Sequence, residues 1–167
     1  TGFQILGENL PVFTNCSAIA NDDTGFEVDS NAYFRNCIAD SNNHGFRIGA
    51  GSTEMYNSLS INNNFSGIYT DNSSILFRNI TISDNGNYGI YAYGTSSLAL
   101  VNSIVFFNGS NQLAGDDGTT MSISYSDISG GSNYGAWASG SGNIDSDPLF
   151  VSNGDPSSSP DYHLQID

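Results

Sequence analysis

Lysine is absent from this chain of 167 residues, and only Arg35, Arg47 and Arg78 carry a fixed positive charge. Against them stand 17 acidic residues, for a formal net charge of -14. So few cations argue against nucleic acid as a partner and against anionic membrane surfaces. Long apolar runs are missing too, which excludes membrane insertion by a helix. No signal peptide is present and the first residue is Thr1, so the sequence is expected to be a processed or excised segment of a longer protein. Helical apolar spacing is lacking, and Gly and Asn are too dense for helix. Proline is rare and falls almost wholly at the end, as Pro148, Pro156 and Pro160 after a lone Pro11.

What the chain has instead is a repeat. Asn15, Asn36, Asn57, Asn79 and Asn102 follow one another at intervals of 21, 21, 22 and 23 residues. A second asparagine series (Asn21, Asn42, Asn63, Asn85, Asn108) lies six residues behind the first, in phase with Gly2, Gly25, Gly45, Gly67 and Gly89. A period of this length means a solenoid, in which each repeat packs on its neighbours. Between these marks the residues alternate with period two, as in Gly67-Ile68-Tyr69-Thr70, and they are β-formers. Three short strands per turn of chain predict a parallel β-helix of about seven coils. Stacking at roughly 4.8 Å per coil sets like residues above one another, so inward asparagines can ladder along the axis. The first series, flanked by strand residues on both sides, is read as the inward ladder; the second fits either an inward or a solvated turn position.

Coils are expected over residues 1–140, with a non-repetitive capping segment at 141–167. Cys16 and Cys37 hold one repeat position, followed by Ser58, Ile80 and Ser103, and read as stacked buried thiols rather than a disulfide or a metal site. In each first strand Phe26, Phe46, Ile68 and Ile90 face in. That leaves Gln4, Glu27, Arg47, Tyr69, Tyr91, Ala114 and Trp137 as one outward column. Of five sequons, at Asn15, Asn64, Asn72, Asn79 and Asn108, those at Asn15 and Asn79 are discounted as ladder positions, and the others would permit glycosylation in a eukaryotic secretory pathway.

The asparagine-marked coils resemble the right-handed parallel β-helices of the pectate-lyase-like superfamily. The stretches Tyr125-Ser-Asp-Ile, Gly142-Asn-Ile-Asp-Ser-Asp-Pro-Leu-Phe and Asp161-Tyr-His-Leu-Gln are similar to the C-terminal end of many bacterial secreted β-helix proteins. Those chains usually run on past this point, so the end at Asp167 is expected to be trimmed. The resemblance implies that any polysaccharide lies along the outer face of the first strand. It also implies that a lyase would combine Ca²⁺-binding carboxylates with an arginine base.

On that face Tyr69, Tyr91, Tyr93 and Trp137 are the candidate glycan contacts, since their rings can stack on sugar while nearby polar groups bond its hydroxyls. Exposed β-formers on an ordinary sheet are the alternative. Candidate catalytic residues are Glu27, Asp29, Arg47 and Asp71; a hydrolase would need carboxylates about 5–10 Å apart. His44 and His163 fall off the outward column. Asp145 and Asp147 alternate as Ca²⁺ ligands do, against plain turn chemistry. No phosphate loop, cysteine metal cluster or nucleophilic triad is visible.

The function read from these features is an extracellular or cell-surface module that contacts glycans, with an adhesive or matrix role. A polysaccharide lyase or hydrolase with a Ca²⁺-assisted acidic and arginine site is the alternative. A subunit of a stacked fibre is the third reading. Gly2-Phe3-Gln4-Ile5 opens the chain as a strand pattern without a cap, so upstream coils or a second copy are expected against it.

Overall fold

The computed structural model describes residues 1–7, 10–131, 140–152 and 161–164. Each coil supplies one strand to each of three parallel sheets, A, B and C. The first coil contains β1 (Phe3–Ile5), β2 (Val12–Thr14) and β3 (Ser17–Ile19). The second contains β4 (Thr24–Val28), β5 (Ala32–Arg35) and β6 (Ile38–Asp40), and the third β7 (His44–Ile48), β8 (Gly51–Tyr56) and β9 (Leu59–Ile61). The fourth has β10 (Ser66–Asp71), β11 (Ser73–Arg78) and β12 (Thr81–Ser83); the fifth has β13 (Tyr88–Tyr93), β14 (Ser97–Val101) and β15 (Ile104–Phe106). The sixth has β16 (Asn111–Gly115), β17 (Thr120–Ser124) and the short β18 (Asp127–Ile128). Six coils are thus described, where the repeat count predicts about seven. The expected seventh first strand, with Trp137, lies outside the described residues.

The core is a set of axial stacks. Phe3, Phe26 and Phe46 lie ring on ring at 4.9 Å, with Phe13 and Phe34 stacked at 4.8 Å beside them. The two stacks meet edge to face, the favoured geometry for ring quadrupoles. Ile68 and Ile90 carry the first stack onward, fully buried. Cys37 is buried and Cys16 half-buried, both as free thiols, and burial pushes the Cys37 thiol up. In the same column the Ser58, Ser103 and Ser126 hydroxyls accept the amides of Cys37, Ile80 and Ser103 in the coil before.

The structure overturns the inward reading of the first asparagine series and decides the open reading of the second. Asn15 through Asn102 are exposed, with φ between 48° and 55°. A left-handed residue turns the chain there, and asparagine accepts that conformation cheaply. Their amides still bond along the outside, Asn36 Nδ2 to Asn15 Oδ1 at 2.9 Å and Asn102 Nδ2 to Asn79 Oδ1 at 2.8 Å. The buried column is the second series. Each Oδ1 from Asn42 to Asn108 accepts both the backbone N–H and the Nδ2 of the asparagine one coil earlier, at 2.8–3.1 Å. Gln112 Oε1 takes the next place, accepting from Asn108 Nδ2 at 2.7 Å and from the Asn108 amide at 3.1 Å. Gly67 shows why glycine runs beside it: a Cβ there would meet Ile82 Cγ2 at 2.6 Å, Asn85 Nδ2 at 2.7 Å and Gly89 O at 2.8 Å.

Beyond coil six the chain closes sheet C before it turns back. Ile144 pairs in parallel with Asp127, and Asn143 Oδ1 takes the Ser126 amide at 3.2 Å, continuing the serine column. The segment then forms an antiparallel pair, β19 (Phe150–Ser152) and β20 (Asp161–Leu164), which lies on the flank of the solenoid as well as at its end. Tyr162 donates its hydroxyl to Asp84 Oδ2 at 3.1 Å, with Asn62 Oδ1 at 3.3 Å. The Phe150 ring sits between Tyr162 and Phe107. Under this hairpin Ile61, Ser83 and Phe106 are buried, whereas Ile19 at the equivalent place in coil one is exposed. The expected end cap is therefore also a lateral strap.

Candidate functional site

Alternation along sheet A produces the outward column, and parallel register aligns it. Gln4, Glu27, Arg47, Tyr69, Tyr91 and Ala114 are direct Cα partners from coil to coil. The column divides into a charged half and an aromatic half. In the first, Glu27 is only 7% exposed. Its Oε1 accepts from Arg47 Nη1 and its Oε2 from Gln4 Nε2, both at 2.7 Å. The Arg47 guanidinium then stands 5.9 Å from the Tyr69 ring centre, joining the two halves.

The aromatic half is larger than the sequence suggests. His44, Tyr69, Tyr91, Tyr88 and Phe65 form a closed circuit of rings, each with two neighbours at centroid distances of 4.9–6.0 Å. Phe65 is 42% exposed, and the tyrosines and His44 are half-buried. Burial pushes the Tyr69 and Tyr91 phenols up, so both stay protonated donors, and Tyr91 donates to Asp116 Oδ1 at 3.3 Å. Burial also pushes the His44 imidazole below its ordinary value, leaving it uncharged at neutral pH. Ser66, the Cα partner of both His44 and Tyr88, is fully buried. Neither its Oγ nor His44 Nδ1 has a hydrogen-bond partner.

Tyr69 and Tyr91 are thus brought together as expected, while Tyr93, 46% exposed, stands at the strand end opposite Asp71. His44, expected off the column, packs against it; the side chain of His163 and all of Trp137 lie outside the described residues. Phe65 and Tyr88 were not anticipated. Their signal is the glycine: Gly67 and Ile68 both face the interior, so the alternation slips by one and the residues before the glycine return to the outer face.

The carboxylates expected to do chemistry are mostly occupied. Glu27 is held as described, Asp71 accepts from Asn72 Nδ2 at 2.6 Å, and Asp29 is exposed beside Gly49. Asp145 Oδ2 accepts the Gly130 amide and Asp147 Oδ1 the Leu149 amide, which is turn capping. Burial pushes the neighbouring Asp127 carboxyl up. Among the described residues no three His, Cys, Asp or Glu side chains are grouped to hold a metal ion.

Three in-register parallel sheets wound from six short-stranded coils, with stacked residues inside, define a parallel β-solenoid. The model of the right-handed β-helix region matches residues 1–153, and the chain belongs to that family. No curated protein and no solved structure matches the chain.

Proposed function

We propose that the outer face of sheet A binds a glycan chain, and that the protein is an adhesive or matrix module at the cell surface or outside the cell. The closed circuit of five rings carries this reading. Aromatic faces pack against the C–H faces of pyranose rings, and the Tyr hydroxyls and Asp116 supply polar partners at the margin. Binding fits the face better than lyase or hydrolase chemistry, because both oxygens of Glu27 are already bonded. Replacing Tyr69 and Tyr91 together with alanine should remove binding on a glycan array while leaving the circular dichroism spectrum unchanged. The double replacement removes three ring contacts, worth about 0.5–1.5 kcal/mol each. A folded double variant that binds as before would sink the reading.

A further inference from the structure

Two polar atoms at the ring circuit have no hydrogen-bond partner within the protein. Ser66 is fully buried, its Oγ has no partner, and the adjacent His44 Nδ1 has none either. A buried hydroxyl without a partner is destabilising, and buried polar groups are nearly always hydrogen-bonded. Among the described residues Thr53 and Ser73 also carry such atoms, but they are not register partners of one another. Ser66 and His44 are, which sets their Cα atoms about 4.8 Å apart. His44 is one ring of the circuit, and Ser66 lies between His44 and Tyr88, two of its members, in the register of sheet A.

We propose that Ser66 Oγ and His44 Nδ1 form the seat for one hydroxyl group of an uncharged sugar, whose ring stacks on Tyr69 and Tyr91. A hydroxyl both donates and accepts, so it can satisfy an imidazole nitrogen and a serine hydroxyl together. Entry requires one ring to move aside, and Phe65, the most exposed of the circuit at 42%, has solvent to turn into. The charge of the face selects the ligand class. Arg47 is already bonded to Glu27, and Asp71 and Asp116 flank the tyrosines, so a carboxylate-bearing sugar would meet repulsion without a free cation. The neutral sugar is favoured by what it does not carry.

The inference rests on the glycan reading, and one experiment separates them. Cellohexaose, xylohexaose and mannohexaose are compared with oligogalacturonate and oligoalginate, on the wild type and on Ser66→Ala, Ser73→Ala and Tyr69→Ala/Tyr91→Ala. A neutral hexasaccharide should bind best. Ser66→Ala should raise the melting temperature, because the unbonded hydroxyl is gone, yet weaken that ligand at least tenfold. Ser73→Ala should raise the melting temperature with affinity unchanged. Unchanged affinity in Ser66→Ala, or tighter binding of the uronates, overturns the inference while loss in the tyrosine variant keeps the glycan reading. No binding by the wild type overturns both.

Discussion

Replacing Phe46 with alanine is expected to cost about 3–5 kcal/mol, the range for emptying a fully buried aromatic site. Phe46 is 0% exposed, stacked on Phe26 at 4.9 Å and edge-on to Phe34 at 5.3 Å. The neighbouring coils are pinned by their own β-ladders, so they cannot collapse into the void. Domains of this size hold only about 5–15 kcal/mol in total, so the variant should show a large drop in the urea midpoint. Phe3→Ala gives the comparison, since Phe3 ends the same stack and is 37% exposed. Equal losses in the two would mean that the stack contributes by its length, not by burial.

The second large effect is expected at Asn63. Its Oδ1 accepts two hydrogen bonds from Asn42, and its Nδ2 donates to Asn85 Oδ1 at 2.9 Å, with Ser60 Oγ and Ala39 O also in reach. Asn63→Ala leaves a buried amide of Asn42 without an acceptor and thins the bonding of Asn85. The stranded amide costs about 1–3 kcal/mol and the other lost hydrogen bonds about 0.5–1.5 kcal/mol each, so the total is about 2–5 kcal/mol. Asn57→Gly, in the exposed series, should change stability by under about 1 kcal/mol, because glycine takes the left-handed φ without strain. Chemical denaturation of the pair shows which asparagine column holds the coils together. A larger loss at Asn57 would reverse the assignment.

That assignment marks the limit of local patterning. The sequence made the sheet-A column legible from Gln4 to Ala114, because two-residue alternation and a steady period determine inside, outside and register at once. It misled at the asparagines. A left-handed residue turns the chain, so the parity of the strand before Asn15 does not carry past it. The inward place belongs to Cys16, and Asn15 cannot share it. The same kind of slip, at the glycines, hid Phe65 and Tyr88 from the aromatic face. The hairpin of β19 and β20 had no local signature on coils three and four, since Tyr162 meets Asn62 across 100 residues of sequence.

The strap alters how such a rod would come apart. In a plain stack, each coil is held by its two neighbours, and the last one can peel away first, then the next, with no barrier beyond one interface at a time. Here the end of the chain is fastened to Asp84 in the middle of the stack, and Phe150 lies against Phe107. Peeling from that end must first break a contact of long sequence separation, so the last four coils should exchange their amide hydrogens as one block instead of fraying in order. Folding meets the same constraint in reverse: coils three to five have to be wound before the hairpin has anything to grip, which places its docking last and makes it the step that locks the rod.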